Sequence, residues 1–349
     1  MLASPAQSLY TSAMPLTLKD IAHMAGVSAS TVSRVLSRDP RISDTTVNRV
    51  NAVLQKTGYR MNSVARSLKT NRTLTVGFSA PDIANDFFMT LALGVESRLS
   101  EAGYSLIICN NSENQARERR NIQLFLQKCV DGIICIPVSG RGGGLAAARD
   151  EGVPLVLVDR LIEDFSCDAV LADNTAGSFG ASDYLLSSGI RRLGFIGGDM
   201  ALTSARERYT GYEKALEKQG LKPDRKIIRF GDFHMESGYQ LMKSLMDLKE
   251  PPEHVFIANH YMSIGAVKYL MDVRYNPASG PYISNFDDMG IIPYLGFTRV
   301  TVAQPMEEIG RQAAELLLKR IKDPAGETGT LQPEIRRLPT ALHVHGTAD

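Results

Sequence analysis

Four cysteines are spread over 349 residues, at Cys109, Cys129, Cys135 and Cys167. None forms a CxxC pair and none stands at ligand spacing from one of the six histidines. The pattern excludes a disulfide framework and the common zinc sites. The cysteines read as small apolar residues in a reducing cytoplasm, with no metal and no cofactor expected. Long apolar runs are missing as well. The apolar stretches are of strand length or amphipathic, and none approaches the ~20 residues of a membrane span. Nor is there a G-x-G-x-x-G after the first predicted strand, a G-x-x-x-x-G-K-[ST] or an HExxH. The run RGGG at Arg141 to Gly144 has no lysine and reads as a loop. These absences count against a nucleotide-using or metal-dependent enzyme. The first sixteen residues, MLASPAQSLYTSAMPL, lack the charged start and apolar core of an export signal, which weakens a transport role. They read as a disordered extension (residues 1–16), with Met14 a candidate start.

Acidic residues are scarce at one end. Between Met1 and Thr73 there are ten lysines and arginines but only Asp20, Asp39 and Asp44 on the other side, a net charge of +7. The whole chain carries +1, so Leu74 to Asp349 carries −6. A basic head on an acidic body is the electrostatic footprint of nucleic-acid binding. The local pattern agrees. Thr17 and Asp20 form the [ST]-x-x-[DE] start of a helix whose apolar face is Leu18, Ile21, Ala22 and Ala25. Gly26 stops it, and Ser28 caps a second helix with Val32, Val35 and Leu36 on its apolar face. A third helix starts near Ser43 or Asp44, buries Val47, Val50 and Leu54, and ends before Gly58. Spacing alone fits any small three-helix subdomain. With the charge, residues 17–60 read as a helix-turn-helix, whose second helix enters the major groove.

Thr17 to Leu36 (TLKDIAHMAGVSASTVSRVL) resembles the headpiece of the lactose/galactose repressor family, and SVARSLKTNRT at Ser63 to Thr73 resembles that family's hinge. The resemblance implies that Thr17, Ser28, Ala29, Ser30, Thr31, Ser33 and Arg34 contact operator DNA. It also implies that residues 61–73 form a hinge helix that folds in the minor groove. There Leu68 would be the apolar wedge, with Asn62, Ala65, Arg66 and Lys69 near the groove or the phosphates. Without the resemblance, Asn62 to Lys69 is too short to be a stable helix alone and reads as a linker.

From Leu74 onward, apolar strands alternate with helices in two successive series. LTVGFSA, YSLIICN, GIICIP, PLVLVD and AVLADN belong to the first; RLGFIGG, KIIRF, HVFIAN and PYISNF to the second. Helices are expected at Phe88 to Leu99, Gln115 to Lys128, Gly177 to Leu186, Ala205 to Lys218, Gly238 to Leu248, Ser263 to Met271 and Met306 to Ile321. Continuous apolar strands of this kind form parallel sheets covered on both faces. The fold class is therefore a small all-α helix-turn-helix headpiece plus an α/β body of two doubly wound parallel-sheet subdomains. That layout resembles the periplasmic-binding-protein type, in which the chain crosses between lobes three times. Crossings are expected near Asp173–Asn174, Val302–Gln304 and Leu331–Pro333. The first lobe is then 74–173 and 303–332, and the second 174–302 and 333–349.

Ligands of open α/β sheets bind beyond the carboxyl ends of the strands. Polar or aromatic residues there are Phe87, Phe88, Arg160, Asp173, Phe233, Asn259 and Asp287, with Gln304 at a crossing. Phe88 has a competing reading as core, Asp173 as a helix cap, and Arg160 as a lobe-bridging ion pair. The resemblance adds Arg208, in SARERYTGY, at the position of an effector-contacting arginine, and Ser204 just before it. Members that take purines carry arginine and threonine where this chain has Leu202 and Ser204, which argues against a purine. Many members have Asn-Asp where this chain has Asn259-His260, which removes a carboxylate; His260 and Arg160 leave an anionic ligand open. The resemblance thus implies a homodimeric regulator on near-palindromic operator DNA, a repressor released by a sugar or sugar derivative. A corepressor or a phosphorylated sugar is the alternative within the family, and a solute-binding protein the alternative outside it. No leucine heptads follow Arg320, so no tetramer-forming coiled coil is expected.

Overall fold

The computed structural model describes residues 16–36, 39–59, 72–164, 166–276, 281–287, 296–323 and 332–345. The expected extension, up to residue 15, and the hinge residues Asn62, Ala65, Arg66, Leu68 and Lys69 lie outside the described residues. The chain divides into two compact units, Met1–Thr73 and Leu74–Asp349.

The first unit holds α1 (Leu18–Ala25), α2 (Ala29–Leu36) and α3 (Asp44–Thr57). The Thr17 backbone N–H donates to Asp20 at 2.7 Å, and the Asp20 N–H returns a 3.4 Å bond to the Thr17 hydroxyl. The Thr17 hydroxyl, which also donates to Asp20 at 2.7 Å, and then the Thr17 N–H hold the Asp20 carboxyl below its usual range. Gly26 ends α1 at φ 61°, a left-handed conformation in which glycine has no Cβ to clash. The core is Ile21, Ala22, Ala25, Val32, Val35 and Val50, and the Val47 and Leu54 side chains only half-enter it.

The second unit opens with β1 (Thr75–Ala80), α4 (Asp86–Glu101), β2 (Ser105–Asn110), α5 (Gln115–Gln127), β3 (Gly132–Cys135), α6 (Ala146–Asp150), β4 (Leu155–Val158) and β5 (Asp168–Ala172). A second series follows: α7 (Asn174–Ser187), β6 (Leu193–Gly197), α8 (Thr203–Lys218), β7 (Ile228–Phe230), α9 (Met235–Met246), β8 (His254–Ile257), α10 (His260–Asp272), β9 (Tyr282–Phe286) and β10 (Thr298–Ala303). It closes with α11 (Met306–Lys322), β11 (Ile335–Leu338) and β12 (Ala341–Val344). One sheet has the order β11-β5-β4-β3-β1-β2 and the other β12-β10-β9-β8-β6-β7. Every pairing is parallel except the antiparallel β10–β12 edge.

Both faces of the first sheet are covered. Phe78, Ile134, Val156 and Val158 pack with α4 and α11, while Ile133, Cys135, Leu155 and Leu157 pack under α5 and α6. Helix α11 can lie so close to α4 because neither contact point has a side chain. A Cβ on Gly94 would fall 2.0 Å from the Glu307 carbonyl oxygen, and one on Gly310 2.1 Å from that of Leu91. Burial pushes the Cys167 thiol up to about 12 and that of Cys135 well above its ordinary value, so both are poor nucleophiles. No helix among the described residues is long and apolar enough to cross a membrane. No group of three or more His, Cys, Asp or Glu among them is placed to hold a metal ion.

One expected boundary moves. The sequence pattern places residues 335–338 in the second lobe, but β11 pairs with β5 in the first sheet, register Ile335↔Ala169 to Leu338↔Ala172. The third crossing is therefore at Pro339–Thr340. A buried ion pair fixes the earlier part: Asp168 accepts from Arg320 Nε at 2.6 Å and Nη2 at 2.7 Å, and from the Glu334 backbone N–H at 2.8 Å. The sequence IRRL carries no strand signature, because it has two arginines and an exposed isoleucine instead of an apolar run.

The second sheet carries a buried histidine. His254 Nε2 lies 2.9 Å from the Ser284 hydroxyl, which accepts from the Val300 N–H at 3.1 Å. Burial, helped by Arg299, lowers the His254 pKa from 6.5 to about 3. The unfolded chain therefore takes up a proton that the native fold refuses, so stability is full above pH 6.5 and falls as pH drops towards 3. At ~1.4 kcal/mol per unit, the loss between pH 6.5 and 5 is about 2 kcal/mol. Urea denaturation at pH 7.5 and 5.0 should show this extra acid sensitivity in the wild type and a smaller one in His254→Gln.

Candidate functional site

In the first unit, α2 turns Val32 and Val35 inward and leaves Ser28, Ser30 and Arg34 exposed, with Ala29, Thr31 and Ser33 half-buried beside them. The start of this helix is organised by Ser28. Its Oγ accepts from the Thr31 N–H at 3.1 Å and contacts the hydroxyls of Ser30 and Thr31 at 2.7 and 2.8 Å. Thr17 is exposed and engaged in the cap of α1. The start of α2 thus presents hydroxyl donors and acceptors to solvent, with Arg34 exposed one turn further on.

In the second unit, the carboxyl ends of the two sheets open on a cleft of about 250 Å³. Eight of the ten residues proposed from sequence line it: Phe87, Phe88, Arg160, Ser204, Arg208, Phe233, Asn259 and Asp287. Two do not. Asp173 caps α7, its carboxylate accepting from the Ala176 N–H at 2.9 Å. Gln304 is buried behind the wall, and its amide donates to Asp287 Oδ1.

The second lobe supplies a charged wall. Arg208 is buried and fully directed: Nε donates to Asn174 Oδ1 at 2.8 Å, and Nη1 donates to the Ala258 carbonyl at 2.6 Å and lies 3.8 Å from Asp287 Oδ2. The Phe286 ring lies flat beneath it, 3.9 Å from Cζ to the ring centroid. Burial raises the Asp287 carboxyl above the usual range; Arg208, the Gln304 amide and the His260 backbone N–H pull it down. That N–H belongs to the first turn of α10, where the helix dipole favours a carboxylate. Phe233 stands at φ 70°, unusual for an aromatic residue. It is held there by a 2.9 Å bond from Asn259 Nδ2 to its carbonyl and by its ring seated on Gly198, where a Cβ would fall 2.1 Å away.

The first lobe faces this wall with Phe87 and Phe88, edge to face at 5.2 Å, and with a second arginine. Arg160 does not bridge the lobes. Its Nε lies 3.3 Å from Asp159, its Nη2 donates to Glu113 at 3.3 Å and its Nη1 to the Pro137 carbonyl at 3.4 Å. Burial raises the Asp159 carboxyl; Arg160 and then Arg208, from the other lobe, lower it. Asp159 and Asp287 both have positive φ, 66° and 74°, each directly beyond its strand.

The lining also holds His260, noted in the sequence as a possible anion contact, and Pro81, Asp82, Asn85, Asn110, Ser112, Glu113, Asp159, His234 and Tyr261, which the sequence pattern does not single out. Several were within reach of the same rule. Asn110 ends β2, Asp159 follows β4, and Asn85 caps α4 by accepting from the Phe87 N–H at 3.0 Å. The complete lining has four carboxylates, Asp82, Glu113, Asp159 and Asp287, against the two guanidiniums, both already paired.

Comparison with known proteins bears on both units. Residues 17–62 match the family described as bacterial regulatory proteins, lacI family, and residues 76–327 match the periplasmic binding protein domain. The ribose operon repressor of Escherichia coli K12 is 32% identical over 334 residues, 95% of this chain and 99% of its own. A LacI family transcriptional regulator from Enterococcus faecium with bound ribose superposes with a TM-score of 0.67 at 26% identity, covering 78% of this chain and 98% of its own. The Lac repressor bound to ONPG shares the fold at a TM-score of 0.81 and 22% identity, over 96% of this chain and 100% of its own.

If Arg34 reads a guanine edge with both guanidinium arms, Arg34→Ala loses ~1–3 kcal/mol of discrimination at one base pair in each half-site. Binding selections with a randomised duplex should show preference relaxed at that position alone. Weakening that is uniform over all sequences would make Arg34 a phosphate contact.

Proposed function

The chain belongs to the lacI family of bacterial regulatory proteins, and from that premise we propose that it is a transcriptional repressor released from its operator by an uncharged sugar. It works in the cytoplasm, as a homodimer on a near-palindromic site, and not as an enzyme. Two-fold protein symmetry matches two half-sites, and one headpiece alone reads too few base pairs.

The observation that carries the ligand class is the make-up of the cleft. Arg208 and Asp287 on one wall, and Arg160 with Asp159 on the other, offer the paired donors and acceptors that fix adjacent hydroxyl groups. The rings of Phe87, Phe88 and Phe233 offer apolar faces for the C–H side of a sugar ring. A phosphorylated sugar fits less well, because both guanidiniums are already matched by carboxylates and the remaining charge is negative. The volume of about 250 Å³ is small, on the scale of a monosaccharide. The relatives point the same way: one is named for a ribose operon, and one holds ribose in its structure. D-ribose is therefore the first candidate.

Control follows from linkage. A ligand that contacts both lobes binds one lobe arrangement better than another, and it shifts the equilibrium by that difference alone. On this reading Arg208 and Asp287 are second-lobe contacts, Phe87, Phe88 and Arg160 first-lobe contacts, and Gln304 holds Asp287 in place. Thermal denaturation with a panel of neutral monosaccharides and their phosphates should give a raised midpoint with a neutral sugar, since saturating a native-state site adds ~2.7 kcal/mol at a hundred times Kd. Fluorescence anisotropy should then show that sugar weakening the wild-type operator complex. Asp287→Ala should remain a folded dimer that binds operator and ignores the sugar. An equal response in both proteins removes Asp287 from the site, and a tightened wild-type complex makes the ligand a corepressor.

A further inference from the structure

The arginine at the centre of the cleft is also tied to a place outside it. Asn174, the first residue of α7, lies at the first crossing between the lobes and is buried. Both ends of its amide are used. Oδ1 accepts from Arg208 Nε at 2.8 Å, and Nδ2 donates to Glu207 Oε2 at 3.1 Å. Glu207 then reaches across to the other lobe. Its Oε2 accepts from Arg337 Nη1 at 3.0 Å and its Oε1 from Arg337 Nη2 at 2.6 Å. Glu207 is on α8 of the second lobe, whereas Arg337 is on β11, the edge strand of the first. The fork-to-fork geometry is the directional form of an ion pair.

Taken by itself, such a pair is ordinary. The Arg337 side chain is 37% exposed and that of Glu207 21%, and ion pairs near solvent contribute little to stability. Its connection to Asn174 is what matters. The backbone at this point of α8 cannot follow a moving partner, because α7 clamps it: the Thr175 hydroxyl donates to the Glu207 carbonyl at 3.3 Å and the Ser178 hydroxyl to the Arg208 carbonyl at 2.5 Å. If the lobes turn, the Glu207 carboxylate must release either Arg337 or Asn174. Release of Asn174 leaves the amide that aims the Arg208 guanidinium with only a long bond, 3.5 Å from Nδ2 to the Ala172 carbonyl, on that side.

We propose that Asn174 and Glu207 are positioning residues for Arg208, forming with Arg337 a chain that ties the lobe arrangement to the guanidinium presented to the ligand. This rests on the cleft being the effector site and adds to that reading the path by which the site senses the lobes. Coupling between two sites is reciprocal, so loosening the chain must alter ligand and operator affinity together. Arg337 does not line the cleft, which makes it the discriminating position.

The test compares wild type, Arg337→Gln, Asn174→Leu and the double variant. Operator affinity is measured without sugar, on a duplex selected in vitro with the wild-type protein. D-ribose affinity is measured by calorimetry on the DNA-free protein, and folding by circular dichroism. Asn174→Asp, which keeps the acceptor for Arg208 but repels Glu207, replaces the leucine variant if that fails to fold. The expected result for Arg337→Gln is a shift of at least fivefold in both affinities, in opposite senses, with a melting temperature close to wild type. The double variant should be no further from wild type than the stronger single one, as members of one chain are non-additive. Both affinities within twofold of wild type, or effects that simply multiply in the double variant, would overturn the proposal. If the wild type does not bind D-ribose, it is the ligand reading that fails. The operator measurements then decide the chain alone, upheld by a shared shift in both single variants and overturned by none.

Discussion

A guanidinium removed from water must be surrounded by acceptors, and the second lobe is arranged around that demand at Arg208. Asn174 comes from the start of α7, Ala258 from the end of β8, Asp287 from the end of β9, and Phe286 lies below. Three elements must be in register with α8 for one side chain to be satisfied. The same demand places Gln304 and the first N–H of α10 on Asp287, whose charge is also costly to bury. The polar wall of the cleft is thus a consequence of keeping one cation buried and matched. It is pre-organised before any ligand arrives, so a ligand hydroxyl meets donors and acceptors already fixed in direction.

The first lobe solves its own version of the problem twice. Arg160 is matched by Asp159 and Glu113 at the cleft, and Arg320 by Asp168 at the back of the sheet. The second of these pairs ties α11 to β5 and to the segment entering β11, and so fixes where the chain makes its last crossing. Charge pairing therefore controls both the inner surface of the cleft and the strands on which the lobes turn. The parallel strands between them supply rigidity, packed on both faces by apolar side chains.

Much of this was legible in the residues, for reasons that differ by element. The headpiece was readable because each helix end has its own chemical mark: Thr17 with Asp20, Gly26, Ser28 and Gly58. The two sheets were readable because doubly covered strands are continuous apolar runs. The cleft was readable in part because strand ends are where ligands meet such sheets, and eight of ten residues chosen on that rule and on the family resemblance line it. The failures are also instructive. Asp173 follows a strand too, but a carboxylate three residues before a free helix N–H satisfies the helix first. Helices α4, α7, α8, α9 and α10 begin two or three residues earlier than the apolar spacing suggests. His260, legible only as the replacement for a family carboxylate, is the first residue of α10 and lines the cleft. The Glu207–Arg337 bridge joins residues 130 apart in the chain and leaves no local mark at all.

The central claim is that a sugar in the cleft and operator DNA compete for the arrangement of the two lobes. Reciprocity makes this quantitative: the factor by which sugar weakens operator binding must equal the factor by which operator weakens sugar binding. The decisive measurement is the D-ribose affinity of the protein alone and of its operator complex, set beside the operator affinity with and without saturating D-ribose. The account predicts two equal ratios, both well above one. D-ribose affinity that is the same with and without operator would contradict it.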